Sequence, residues 1–168
     1  MPSPIPSTSI PAREEWEGNV CVLTYDVLDV DAITRSVGDD RAGANVVFVG
    51  TTRNSFRGKV VARLEYQAYS KLAIRTMTEI VIRQLAAGDS TSHTAASTII
   101  SCAVHHRLGT VPVGEASIVI AVSSPHRKEA FVACEQILEE VKEKAPIWKR
   151  EYYDGEDEET AEWKANYS

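Results

Sequence analysis

A long amphipathic segment that ends at a proline constrains the fold of this chain most strongly. Apolar residues recur at helical spacing from Ala130 to Val141, which predicts a helix with one buried face. Pro146 disfavours helical geometry in the residue before it, so the helix must end at Ala145. Residues 147–151 then mix apolar and basic side chains, as an extended segment does. The pattern therefore predicts a helix, a sharp break and a strand.

The first turn of this helix carries one polar cluster. Ser124 is the expected N-cap and Pro125 the first helical residue, where its missing N–H is no loss. His126 and Arg127 follow, close to the free N–H groups and the positive end of the helix dipole. A guanidinium there is suited to an anion. The alternative is that His126 is an ordinary residue of an N-terminal turn.

A second polar cluster lies at the other end of the helix and beyond it. Lys142 falls one turn after Leu138, at the edge of the apolar stripe, and Lys149 and Arg150 follow the break. A partly desolvated lysine near other cations has a lowered pKa and can act as a nucleophile or an acid/base group. The alternative is that these residues only complement the helix dipole and are solvated.

The remaining segments predict an α+β domain with a largely antiparallel sheet and two main amphipathic helices. A short helix is expected over residues 31–37, capped by Asp31, and a long one over residues 70–87. Predicted helices and strands do not alternate regularly along the sequence. The predicted strands cover residues 20–25, 45–49, 60–69, 98–105 and 115–123.

A polar loop over residues 50–59 joins two of these strands and carries three cations. Such a loop on a rigid scaffold is a good place for ligand contacts, although a mobile hairpin tip fits the same pattern. The adjacent His105 and His106 point to opposite faces of a strand, so they are a poor metal pair and no metal site is expected.

Composition narrows the class of protein. The 168 residues suffice for one domain, and the net charge of −6 argues against general nucleic-acid binding. Three cysteines without a CxxC pair lie in apolar patterns, as in a reduced cytoplasmic protein. No segment has the pattern of a membrane span or a signal peptide.

The two ends differ from the middle in composition. Residues 1–19 are rich in Pro and Ser and then charged, which predicts a disordered extension. Residues 20–153 are expected to form the domain. Residues 154–168 are expected to be an acidic, solvated tail.

Several separated phrases resemble one family. SSPHRKEAF, the spacing from Lys142 to PIWKRE, HHRLGTVPVGE and FVGTTRNSFRGKVVARLEYQAY closely resemble the catalytic (large) subunits of molybdopterin synthase. The likeness covers residues 20–151, in the right order. It implies the α/β-hammerhead fold. It also implies that the HR-x-G phrase, which starts here at His106, is mainly structural or lies at a subunit edge.

The resemblance also implies a reaction. The family is a sulfurtransferase of molybdenum cofactor biosynthesis, which adds two sulfurs to cyclic pyranopterin monophosphate to form the molybdopterin dithiolene. The sulfur comes from the thiocarboxylated C-terminal glycine of a small ubiquitin-like partner, so this chain needs no cofactor of its own. No cysteine here has a reactive context, in agreement with sulfur arriving on the partner.

Carried over to this sequence, the family pattern implies a set of site residues. Arg53, His126 and Arg127 would cradle the cyclic phosphate. Lys142 would be the principal catalytic amine, and Lys149 would stabilise developing negative charge. Residues 146–151 would line a channel for the partner's tail, with Glu151 orienting the cations and Arg150 binding substrate. The chain departs from the bacterial pattern in its tail, which lacks a further arginine of the family, and whether Lys164 takes its place stays open at this point.

The length of the helix has a consequence for assembly. His126 and Lys142 are sixteen residues apart, or roughly 24 Å along one helix, which is too far for a pterin-sized ligand to touch both. A two-fold homodimer would bring His126 and Arg127 of one chain to the lysines of the other. We therefore expect a homodimer with two composite sites, forming a heterotetramer with two small partners.

Two other functions remain open from the residues alone. The basic clusters would equally suit a non-catalytic module that docks a ubiquitin-like protein or an anionic metabolite. A structural dimer with solvated lysines is the second alternative. Replacement of Lys142 distinguishes the enzyme, which would lose turnover, from the binder, which has none to lose.

Overall fold

The computed structural model describes residues 6–87 and 99–166, which form ten strands and three α-helices. Residue 98, the first residue of the predicted strand 98–105, lies outside these residues. The helices are α1 Val30–Ser36, α2 Ser70–Ala86 and α3 Arg127–Lys144. The strands are β1 Ala12–Trp16, β2 Asn19–Thr24, β3 Ala44–Thr51, β4 Ser55–Phe56, β5 Lys59–Ala68, β6 Ser101–Arg107, β7 Gly109–Pro112, β8 Ala116–Ser124, β9 Ile147–Tyr153 and β10 Lys164–Ala165.

Five strands form the larger sheet, in the order β1-β2-β6-β8-β3. Every pairing in it is antiparallel except that of β2 with β6, which is parallel. The long helices α2 and α3 cover one face, where Met77, Ile80, Ile120 and Ile137 are fully buried. The short helix α1 covers the other face through Ile33. The predicted α+β class and largely antiparallel sheet are confirmed.

The second sheet carries the strand that follows the proline break. Its order is β10-β9-β5-β4, and β7 also pairs with β5. β9 lies antiparallel to β5, so Lys149 is opposite Tyr66 and Glu151 is opposite Leu64. A tight turn at Arg57 and Gly58, both with positive φ (48° and 78°), closes the hairpin of β4 and β5. This sheet places the basic residues of β9 next to the end of α3.

The prediction that residues 1–19 form a disordered extension is wrong for the described part of that segment. β1 pairs along its length with β2. Ser9 is 1% exposed, and its hydroxyl accepts a hydrogen bond from the Ala68 amide N–H. Residues 13–15 of β1 are three consecutive charged side chains, and all three are exposed because β1 is the edge strand of its sheet.

Residues 154–160 are exposed, as expected for a solvated acidic run, but the segment is not a free tail. Glu156 pairs with Lys59, and Glu158 pairs with Arg63. β10 then returns to the second sheet beside β9, and Asn166 is 7% exposed. The two cations in these ion pairs lie on β5, which is far from the acidic segment in sequence.

Two predicted helix caps are displaced. Asp29 rather than Asp31 caps α1, accepting a hydrogen bond from the Ala32 N–H. The N-cap of α3 is His126, because Ser124 still pairs within β8 and Pro125 lies between the two elements. The predicted stop of α3 is confirmed, since Ala145 is its C-cap with extended backbone (φ −71°, ψ 129°). Among the described residues, none of the helices is long and apolar enough to cross a membrane.

The buried face of α2 should dominate the stability of the larger sheet. Met77 is fully buried, whereas Leu72 on the same helix is 47% exposed. We expect Met77→Ala to lower the free energy of unfolding by about 2–5 kcal/mol, because it leaves a cavity under the sheet. Leu72→Ala, the matched control, should change it by less than about 1 kcal/mol. Urea unfolding monitored by circular dichroism measures both, and equal losses would contradict this packing.

Candidate functional site

A basic cavity of about 280 Å³ opens where α3 ends and the two sheets meet. It is lined by residues from several parts of the chain that are separated in sequence. They include Arg53, Tyr66, His106, Lys142, Lys149 and Glu151. The structure therefore brings Arg53 together with both predicted catalytic lysines.

The two lysines meet because of the break between α3 and β9. Lys142 lies in the last turn of α3, and Lys149 is the third residue of β9. Between them the Ala145 backbone is extended, and the Pro146 carbonyl accepts a hydrogen bond from the Tyr69 N–H at 3.1 Å. The chain thus reverses at a fixed point and directs both amines into the same cavity.

Lys149 is partly desolvated in this cavity. Burial lowers the pKa of its amine, and the nearby cations Lys142, Lys164 and Arg53 lower it further, while Glu151 opposes the shift. Its side chain is only 17% exposed, and its Nζ lies 3.9 Å from the Glu151 carboxylate. The amine therefore releases its proton more readily than a surface lysine does.

Glu151 is held in the cavity by two groups. Its carboxylate faces the Lys149 amine through one oxygen and accepts a hydrogen bond from the Tyr153 hydroxyl through the other. Burial and this carboxylate together raise the pKa of Tyr153 to about 12. The predicted orienting role of Glu151 is thus consistent with its contacts. Within the described ranges, Lys142 makes no ion pair with a carboxylate, so its amine is available to a ligand.

Arg53 approaches the cavity from the loop between β3 and β4. Its guanidinium lies 5.7 Å from the Phe56 ring centroid, and its side chain is otherwise exposed. Thr52 anchors the loop, because its N–H donates to the Glu115 carbonyl and its hydroxyl to the Val111 carbonyl. An exposed guanidinium on an anchored loop is suited to an anionic ligand.

Arg150 does not line this cavity, so the structure does not bring it together with the two lysines. Successive side chains of a strand point to opposite faces, so Lys149 and Glu151 face the cavity while Arg150 faces away. There it pairs with Glu65 at 3.4 Å and stacks at 4.5 Å from the Trp163 ring centroid. Its contacts hold the segment after β9 against the second sheet.

His126 and Arg127 lie at a different site. They line a separate, open pocket with Pro125 and Gly43 at the start of α3, a helix of 18 residues that ends at Lys144. A side chain at position 43 would meet the Pro125 carbonyl at 2.4 Å, so glycine permits this close approach. The predicted cradle of Arg53, His126 and Arg127 is therefore not formed within one chain.

The structure adds His106, whose sequence context indicated only a structural role. Its ring is fully buried at the cavity wall and lies edge-on to Tyr66, with the ring centroids 5.0 Å apart. Nδ1–H donates to the Arg107 carbonyl at 2.8 Å, and Nε2 accepts from the Asn166 amide at 3.3 Å. Burial lowers its pKa to about 4, with the nearby Lys142 charge adding to the effect. A neutral imidazole therefore adjoins the lysines.

The three cysteines are unsuited to carry sulfur. Cys21, Cys102 and Cys134 are buried and unpaired. Burial raises the pKa of Cys21 to about 12 and that of Cys134 to about 11, so their thiols stay protonated. In the part of the chain that the structure describes, no group of three potential metal ligands occurs.

Comparisons with known proteins agree on one family. A family model described as MoaE protein matches residues 23–144. The molybdopterin synthase catalytic subunit 2 of Aedes aegypti is 45% identical over 88% of this chain and 90% of its own length. A crystal structure of molybdopterin synthase from Staphylococcus aureus superimposes with a TM-score of 0.72 at 28% identity, over 84% of this chain and 94% of that one.

A further structural neighbour shares the fold. It belongs to a protein–protein complex of subunits 1 and 2 of the molybdopterin-converting factor from Helicobacter pylori. The TM-score is 0.63 at 22% identity, over 81% of this chain and 86% of that one.

The buried neutral imidazole of His106 should make stability depend on pH. An unfolded histidine binds a proton below about pH 6.5, whereas folded His106 does so only near pH 4, so stability falls as the pH drops through this window. We expect wild type to lose about 2 kcal/mol more than His106→Gln between pH 7 and pH 4.5. Urea unfolding at both values measures this difference. Parallel losses in the two proteins would contradict a buried neutral ring.

Proposed function

The chain belongs to the MoaE protein family, and we propose that its basic cavity is where it acts as the catalytic subunit of molybdopterin synthase. The observation that carries the proposal is the convergence of Arg53, Lys142 and Lys149 on one cavity. The reaction is the transfer of sulfur to cyclic pyranopterin monophosphate. The sulfur donor is the C-terminal thiocarboxylate of a small ubiquitin-like partner.

The charges of the reactants explain why the site is basic. The substrate carries a phosphate, and the incoming thiocarboxylate is also an anion. Three cations in a partly closed cavity attract both and lower their mutual repulsion. Arg53 suits the phosphate, because a guanidinium binds phosphate oxygens in a bidentate manner.

The two amines have different environments and hence different proposed roles. Lys142 is the principal catalytic amine, because no carboxylate among the described residues neutralises it. It positions or protonates the reacting groups. Lys149 stabilises the developing negative charge, held in place by Glu151 at 3.9 Å. Its lowered pKa also makes it a better proton donor than an ordinary lysine.

The partner's tail has to reach these amines in an extended form. The β9 segment forms one wall of the cavity and presents Lys149 and Glu151 to it. We propose that the tail enters along this wall. The proposed location of the assembly is the cytoplasm, where buried thiols stay reduced.

His126 and Arg127 act in this proposal on the site of a second protomer. β3 is the last strand of its sheet, with Ala44 beside Ser124 at one end and the Arg53 loop after the other end. Antiparallel pairing of two such edges about a two-fold axis would set the start of α3 in one protomer beside the cavity of the other. The phosphate cradle would then draw residues from both chains.

Replacement of single lysines tests the assignment of the cavity. We expect Lys142→Ala to reduce turnover by about 100-fold or more and Lys149→Ala by a similar factor, because each removes a charge at the reacting groups. Lys144→Ala is the matched control, since Lys144 lies in the same helix turn but pairs with Glu140 outside the cavity. The assay measures molybdopterin formed with a thiocarboxylated partner. If wild type binds the partner but makes no product, the chain is a binding module.

A mixture of two inactive variants tests the composite site. His126→Ala and Lys142→Ala homodimers should each be inactive, because each lacks one half of every site. After subunit exchange, half the dimers are mixed and carry one intact site each, so about a quarter of wild-type turnover should return. Lack of recovery, with mixed dimers confirmed by native mass spectrometry, would contradict the two-chain site.

A further inference from the structure

The segment after the acidic turn, residues 163–166, packs against both sides of β9. Trp163 stacks on Arg150 on the outer side. Lys164 lies opposite Lys149 in the β9–β10 pairing, and the Asn166 N–H donates to the Ile147 carbonyl at 3.0 Å. We refer to residues 163–166 as the C-terminal segment.

The Asn166 side chain reaches the inside of the catalytic cavity. It is 7% exposed, and its amide donates to Nε2 of the fully buried His106. Because Nδ1–H of His106 is engaged by the Arg107 carbonyl, Nε2 is left as an acceptor. The two polar groups thus satisfy each other in a place where an unpaired group would be unfavourable.

We propose that His106 and Asn166 form a positioning pair that holds the C-terminal segment as one wall of the catalytic cavity and so places Lys164 beside Lys149. The pair touches no substrate itself. It deepens, and rests on, the function proposed for this cavity. The sequence does not indicate that these two residues pair, because 60 residues separate them.

The consequence of this placement is electrostatic. The charged groups that face Lys149 are Arg53 from the loop after β3, Lys142 from α3, Lys164 from β10 and Glu151 from β9. Tyr66 on β5 and His106 on β6 also border the cavity and are neutral. Lys164 is the cation whose position depends on the C-terminal segment. If the segment detaches, Lys149 loses one repelling charge and some burial, so its pKa rises.

A purely structural bond would behave differently. It would stabilise the fold, and its loss would lower the melting temperature without changing the chemistry of Lys149. The test therefore needs a readout on Lys149 that is independent of both stability and turnover.

The experiment measures the rate of Lys149 acetylation by trace acetic anhydride from pH 6 to pH 11, by peptide mass spectrometry on the full chain. The variants are Asn166→Leu and Lys164→Ala, and Gln136→Leu on the exposed side of α3 is the matched control. Asn166→Leu and Lys164→Ala should both move the midpoint for Lys149 to higher pH, and Gln136→Leu should leave it unchanged. His106→Phe should resemble Asn166→Leu, whereas His106→Gln should resemble wild type, because its amide oxygen restores an acceptor.

Turnover with the thiocarboxylated partner gives a second readout. Asn166→Leu should lower kcat about tenfold, the effect of one lost positioning hydrogen bond. An unchanged Lys149 midpoint in folded Asn166→Leu, or in Lys164→Ala, would overturn the proposal. Failure of the proposed function is distinguishable, since it would appear as absence of product from wild type while the acetylation midpoints still shift.

Discussion

The reversal at Ala145 and Pro146 is the constraint on which the cavity depends. The proline stops α3 one turn after Lys142, and its carbonyl is fixed to the backbone of Tyr69 at the start of α2. β9 therefore starts from a defined point and must run back along β5. A helix that continued for another turn would carry Lys149 away from Lys142. The meeting of the two amines follows from one backbone restriction.

Successive side chains of β9 point to opposite faces, so the basic residues of this strand have two different roles. Lys149 and Glu151 face the cavity and supply a desolvated amine with a carboxylate that orients it. Arg150 faces the other way and, with Trp163, fastens the chain that follows β9. The strand β9 thus carries cavity residues on one face. On its other face it holds the C-terminal segment that forms a wall of the cavity. A single-residue shift in the pairing of β9 with β5 would exchange these tasks.

Sequence patterns predicted the features that depend on neighbouring residues along the chain. The stop at Pro146, the apolar stripe of α3, the strand character of residues 147–151 and the lysine cluster follow from spacing and propensity. The roles of Arg150 and of the residues near His106 did not follow, because they depend on which strand lies beside which. The strand β1 was not predicted for the same reason. Its charged residues give no strand pattern, and it forms because it pairs with β2 at the edge of the sheet. The reaction was predicted from the resemblance to the family, because the spacing of residues does not indicate which reaction is catalysed.

The central claim is that the partner's tail reaches Lys142 and Lys149 together in one cavity. The most direct measurement is acetylation footprinting of the chain with and without the partner in its unreactive carboxylate form, read at each lysine by mass spectrometry. We expect complex formation to slow acetylation of Lys142 and Lys149 and to leave that of Lys144 unchanged. A confirmed complex in which neither cavity lysine is protected would contradict this claim.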